Sequence, residues 1–162
     1  MSRRWVADAS PIILLAKTGH VDLLASCSEE LLVPEAVAEE VRQAGEDDPA
    51  RKWLEAEGAE FVGPAEPIQS KVAAWDLGRG ESRVLSYGLR HPEWTVVVDD
   101  GAARRCAQGL DISLTGTLGL LVVAKRDGRL DRVRPVVGAL EQAGLHVDEA
   151  LIRHVLETVD ED

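Results

Sequence analysis

Apolar residues in this chain fall into two kinds of run. Short unbroken runs, such as "ELLVP" at 30–34 and "EWTVVVDD" at 93–100, alternate with longer segments whose apolar positions recur every three or four residues. An unbroken short run is how a parallel strand buried on both faces reads, and the wider spacing marks one face of a helix. This predicts strands over 3–8, 30–34, 59–63, 93–100 and 111–116. Helices are predicted over 10–19, 20–27, 34–45, 47–58, 67–78, 80–92, 101–110, 116–128, 131–144 and 148–159. Proline and glycine punctuate these helices: Pro11 and Pro34 stand at helix starts, Gly19 and Gly45 at helix ends. Proline suits a first helical turn, and glycine suits a stop. Ser10 is expected to cap the first helix, and the terminal "DED" is expected to fray. Strands alternate with helices throughout, which implies βαβ units and a parallel sheet covered on both faces. The expected class is therefore α/β, a three-layer α/β/α sandwich around a central, mainly parallel sheet. There is no internal repeat or linker, so one domain over 1–162 is expected.

Composition narrows the function classes. The chain has 162 residues, 45% hydrophobic and 29% charged, which is ordinary for a folded globular protein. No apolar run approaches the roughly 20 residues needed to cross a bilayer. The first residues, "MSRRWVADASPIILLAKTG", are basic and then apolar like a signal peptide. Asp8 and Pro11 break that run, Lys17 closes it, and no small-residue cleavage site follows, so it reads as the first strand and helix of a cytoplasmic protein. Cys27 and Cys106 lie outside any metal-ligand spacing and read as buried free thiols. The four histidines are scattered, which disfavours a zinc site. The net charge of −11 disfavours a broad basic surface for nucleic acid. It is compatible with an enzyme that grips nucleic acid through bound cations, and with a basic protein partner.

Among 29 acidic residues, position discriminates better than number. In parallel sheets, sites form at the carboxyl ends of the strands. Asp8 ends the first strand beside Ser10, as a turn or capping aspartate or as a site residue. In the helix over 34–45 the apolar stripe is Val37, Val41 and Ala44. Glu39 falls opposite that stripe, and Glu40 falls at its margin, free to snorkel or to reach inward. Glu81 projects near the centre of the stripe Val84, Leu85, Gly88, Leu89. It is a partner for the helix dipole there, or a core-facing acid that needs compensation. Asp99 and Asp100 end the strongest strand, and neighbours on a strand face opposite ways. Asp99 continues the strand and is the inward candidate; Asp100 is placed to cap the next helix. Asp8, Glu40, Glu81 and Asp99 thus come from four elements and can aim at one place. Clustered carboxylates repel one another, and a divalent cation such as Mg²⁺ removes that penalty. Such a site suits phosphodiester hydrolysis.

The segments "VADASPIILLAKTG", "LLVPEAVAEEV", "LGRGESRVLSYGL", "VVVDDGAARRCA" and "LTGTLGLLVVAKRDG" occur in that order. Together they resemble the PIN domain, in a prokaryotic branch near the VapC-type toxins. The resemblance covers residues 5–130, with the helices over 131–159 beyond it. It implies a metal-dependent ribonuclease using Mg²⁺ or Mn²⁺. It implies catalytic Asp8, Glu40, Glu81 and Asp99, with Asp8, Glu81 and Asp99 on the metal. Ser10 and Thr115 match hydroxyl positions near the metal, and Arg104 matches a basic position open to solvent, phosphate or a surface ion pair. Asp100 is expected as a cap or outer-shell group. Two features depart from the family pattern: Glu81 stands where many members have aspartate, and Thr115-Gly116-Thr117 replaces an acidic stretch. The leading expectation is an endoribonuclease acting as the toxin of a toxin–antitoxin pair, with an RNA substrate, an antitoxin partner and a possible homodimer. The rivals are a catalytically weak scaffold that binds protein, and a structure-specific DNA nuclease.

Overall fold

Five apolar runs pair into one parallel sheet. The computed structural model describes residues 3–64 and 66–161. The strands are β1 (Arg4–Ala7), β2 (Glu30–Pro34), β3 (Val62–Gly63), β4 (Thr95–Val97) and β5 (Leu114–Thr115), in the order β3-β2-β1-β4-β5. Val6 stands opposite Leu32 on one side and Val96 on the other. Val97 in turn stands opposite Thr115. Trp5, Val6 and Ala7 are all buried, as are Val96, Val97 and Val98, so both faces of the central strands are covered. The chain runs outward from β1 to β3, then returns to add β4 and β5 on the other side. The strand order reverses between β1 and β4, and that is where a crevice opens at the carboxyl ends of the strands.

Ten α-helices flank the sheet among the described residues: α1 (Ala9–Lys17), α2 (Asp22–Ser26), α3 (Glu35–Arg42), α4 (Pro49–Glu55), α5 (Ser70–Ala73), α6 (Arg79–Arg90), α7 (Gly101–Gly109), α8 (Thr117–Arg126), α9 (Arg134–Ala143) and α10 (Glu149–Thr158). The three-layer α/β/α arrangement expected from the pattern is the observed fold. One cluster of buried apolar side chains runs from Trp5 to Val159, so α9 and α10 share the core with the sheet helices. Cys27 and Cys106 are buried free thiols. Among the described residues, no helix is long and apolar enough to cross a membrane.

Four details differ from the sequence reading, the first being that the helix expected over 67–78 forms only over Ser70–Ala73. Asp8, not Ser10, occupies the N-cap of α1, and Ser10 lies exposed in its first turn. The helix starts earlier because Ala9 is already buried against the core, which draws it into helical geometry directly after β1. Residues Glu57–Phe61 form a 3₁₀ turn, which leaves only Val62–Gly63 to pair as β3. The expected fraying of the terminal acids does not extend to Glu161. Its carboxylate accepts from the Lys125 ammonium at 2.7 Å and from the backbone N–H groups of Val133 and Arg134 at 2.7 and 3.0 Å. It thereby supplies acceptors for the start of α9, whose own N-cap residue, Val133, cannot. Burial alone raises the Glu161 carboxyl, but Lys125 and the two N–H groups outweigh it and hold it down at about 2. Asp162 lies outside the described residues.

Candidate active site

The acids collect at the crevice between β1 and β4. A cleft of about 220 Å³ is lined by Asp8, Ser10, Ile13, Glu40, Gly78, Glu81 and Asp100. Each acid reaches it from a different element. Asp8 follows β1 and is fixed by its own N–H, which donates to the Val97 carbonyl of β4 at 3.1 Å. Glu40 comes from α3, whose buried side is Val37, Ala38 and Val41. Glu39 turns the other way and pairs with Arg79 at 2.8 Å on the surface, as the helical spacing predicts. Glu81 stands in the first turn of α6. Asp100 caps α7, accepting from the Ala103 N–H at 3.1 Å.

Gly80 measures how closely these groups converge. A Cβ there would lie 3.3 Å from Glu40 Oε1 and 3.7 Å from Asp8 Oδ1. It would press on Glu40 and just touch Asp8, so glycine eases the approach of α6 to α3 beside β1.

Asp99 occupies the other side of the same strand end. Thr117 donates to it twice, from its N–H at 2.8 Å and its hydroxyl at 2.5 Å. Asp99 lines a second cavity of about 460 Å³, together with Arg104, Thr115 and Gly116 and apolar residues of β5, α8 and α10. The Arg104 guanidinium donates to the Val98 carbonyl at 2.9 Å. A Cβ at Gly116 would lie 2.8 Å from both the guanidinium and Asp99 Oδ1, so only glycine fits between them. The structure therefore brings Asp8, Glu40, Glu81, Ser10 and Asp100 to one cleft. It brings Asp99, Arg104 and Thr115 to its neighbour, with Thr117 bridging back to Asp99.

The electrostatics of the first cleft are costly. Burial pushes the Asp8 carboxyl up to about 7, against a lowering contact from the Ala9 N–H; Glu81, Glu40 and Asp99 add repulsion in the same direction. Burial likewise raises Glu81, and the nearby Asp100 adds to it, both by charge and by a carboxyl–carboxyl hydrogen bond, against the Gly78 N–H. Among the described residues, no lysine, arginine or histidine forms an ion pair with Asp8, Glu40, Glu81, Asp99 or Asp100. Of these only Asp8 is buried, and a buried acid without a cation is unusual unless a bound ion completes it.

The donors here are all carboxylate or hydroxyl oxygens, the chemistry that Mg²⁺ and Mn²⁺ prefer. Among the described residues, no three acidic, histidine or cysteine side chains already stand close enough to share an ion. The set fits a cation held by a few carboxylates and completed by water and phosphate oxygens, which is how Mg²⁺ is usually bound.

Sequence reasoning expected Asp100 as a cap or outer-shell group; it caps α7 and also lines the acidic cleft. The same reasoning missed Glu161 altogether. The second cavity escaped it as well, because its walls come from β5, α8 and α10, far apart in the chain.

Among curated proteins, no sequence matches this chain. A family model described as "DUF3368: PIN domain" matches residues 4–161. PIN domains are generally nucleases, and their nucleases typically use divalent metals. The parallel sheet, the reversal of strand order beside β1 and the acids gathered there agree with that match, and the chain belongs to the PIN-domain family.

Proposed function

We propose that this protein is a metal-dependent endoribonuclease. The observation that carries this reading is Asp8: a buried carboxylate at the strand-order reversal of a PIN domain, with Glu40 and Glu81 beside it and, among the described residues, no cationic side chain in an ion pair with it. Asp8, Glu81 and Asp99 are the proposed Mg²⁺ or Mn²⁺ ligands, and Glu40 completes the catalytic group. A bound divalent cation would supply a water of lowered pKa and neutralise charge on the scissile phosphate. The protein's part is to hold its carboxylates in place. Thr117 fixes Asp99, Gly80 admits Glu40 and Asp8 side by side, and Asp100 stands within reach of Glu81. Ser10, at the cleft, and Thr115, in the neighbouring cavity, offer hydroxyls to water or phosphate.

The biological setting we propose is a cytoplasmic toxin held by an antitoxin, with a homodimer as the working assembly. The acidic surface suits a basic antitoxin segment. Purified protein assayed on RNA with Mn²⁺, beside Asp8→Asn, tests the catalytic reading. Cleavage is expected from the first and not the second, and equal cleavage by both would sink it. A DNA substrate run in parallel separates a ribonuclease from a DNA nuclease.

A second reading is a PIN scaffold that binds protein and has lost effective catalysis. The open spacing of the acids favours it. Calorimetric titration separates the two, since no binding at millimolar Mn²⁺ supports the scaffold.

A further inference from the structure

We infer that the second cavity is a nucleoside subsite, which seats the base next to the phosphate held at the acids. Its role rests on the ribonuclease reading above, although its occupancy can be measured separately. The first argument is continuity. Asp99 and Asp100 are adjacent residues at the end of β4, and one lines each cavity. A phosphodiester over the acids therefore has a neighbouring hollow within the reach of its own nucleoside.

The second argument is chemistry. The cavity is mainly apolar, walled by Leu114, Leu118, Leu151 and Val155. Leu151 is 45% exposed, so this wall meets water as it stands. A nucleobase offers two apolar faces to such walls and a polar edge to whatever lies between them. The cavity's polar lining comprises Arg104, Thr115, His146 and the carboxylates of Asp99 and Asp148, and Arg104 supplies a guanidinium cation among them. One of its five donors goes to the Val98 carbonyl, its only hydrogen bond to protein among the described residues, so the fork remains available to a base edge or phosphate oxygen. In a chain of net charge −11, a cation lining the cavity beside Asp99 is the complement an RNA strand needs. The third argument is size. A volume of about 460 Å³ lies within the usual range for small-ligand cavities, and it exceeds the acidic cleft's 220 Å³.

The test is a methyl-NMR titration in Mg²⁺ with the nucleoside 5′-monophosphates, which the enzyme cannot cleave at an internucleotide bond. Ribose 5-phosphate and Mg²⁺ alone serve as controls. The expected result is saturable shifts at Leu118, Leu151 and Val155 with the nucleotides and none with the controls. Leu151→Glu changes an exposed position, so folding is expected to survive, and it should weaken nucleotide binding about tenfold. Equal shifts from ribose 5-phosphate would overturn the subsite, as would no shift, or unchanged affinity in Leu151→Glu. Shifts that appear only with a basic peptide, or only as protein concentration rises, would assign the cavity to a protein interface and also overturn it. Nucleotide binding without Mn²⁺-dependent RNA cleavage would uphold the subsite and remove the nuclease reading. Cleavage without nucleotide binding would do the reverse.

Discussion

Thr117 holds both oxygens of Asp99, its N–H on one at 2.8 Å and its hydroxyl on the other at 2.5 Å. Thr117 is fully buried and opens α8, so the start of that helix and the end of β4 are tied together through one carboxylate. Replacing Thr117 by valine keeps the shape and deletes the hydroxyl. Hydrogen bonds to charged groups contribute about 1.5–3 kcal/mol, so Thr117→Val is expected to lose stability in that range, and Thr117→Ser much less. Urea unfolding of the three proteins checks this; equal midpoints for valine and threonine would refute it.

The two aspartates at the end of β4 are expected to separate in function. Asn is as good an N-cap as Asp, so Asp100→Asn should leave stability unchanged. With Asp99 as a proposed ligand, Asp99→Asn should lower Mn²⁺-dependent cleavage by roughly a hundredfold or more, a loss of about 2.7 kcal/mol in transition-state stabilisation. Asp100→Asn should lower it much less. If Asp100→Asn proves the more damaging, the ligand set becomes Asp8, Glu81 and Asp100, the three aspartate and glutamate side chains that share the cleft with Glu40.

Acidity should act on the metal-free protein through Asp8. The folded carboxyl keeps its proton up to about pH 7. The unfolded one loses it near pH 4. Between those values the folded state binds more protons, so stability falls as pH rises across that window and levels off above it. Asp8→Asn removes this dependence. At pH 8 without metal it is expected to be more stable than the parent by roughly 1–3 kcal/mol, with the gap closing near pH 4. Added Mn²⁺ should shrink the gap at pH 8. Thermal melts over pH 4–8, with and without the ion, measure both; a parent protein more stable than Asp8→Asn at pH 8 without metal would contradict the argument.

Glu161 has the opposite sign. Its folded carboxyl is held at about 2 by Lys125 and the Val133 and Arg134 N–H groups, which overcome its burial. Its contribution is therefore present above the unfolded value and is lost as pH falls from the ordinary carboxylate range toward 2. Glu161→Gln should destabilise at pH 7 by about 1–3 kcal/mol, leaving Lys125 without its ion pair. The same variant should be nearly neutral at pH 2. A pH-independent difference between the two proteins would show that the carboxylate charge is not the cause.

Much of this was legible in the chain. The runs located all five strands, most clearly the central β1 and β4, whose faces are both buried, whereas β3 and β5 are partly buried pairs of residues. Proline and glycine located the helices between them. Helical spacing set Glu39 apart from Glu40: Glu39 pairs with Arg79, and Glu40, itself exposed, lines the cleft. The same logic weakened at Asp99 and Asp100. Alternation holds along a paired strand, but pairing in β4 ends at Val97, and beyond it hydrogen bonds to Thr117 and Ala103 orient the two side chains. Glu161 was illegible for a related reason. It satisfies the start of a helix 27 residues away, and periodicity within a window cannot register such a partner.

The central position of β1 has a kinetic consequence. Its partners are β2, about 25 residues on, and β4, about 90 residues on. Asp8 donates its N–H to Val97 of β4 and shares its cleft with acids of α3 and α6, so its full burial requires the long-range pairing of β1 with β4. Non-local pairings of this kind slow folding, and the cost of burying the Asp8 charge falls on the same step. If that step limits the rate, Asp8→Asn should raise the refolding rate at pH 8 more than it lowers the unfolding rate, which the two arms of a chevron plot would separate. A divalent cation would then act first as an aid to assembly, recruited while the sheet is closing, and only afterwards as part of a finished site.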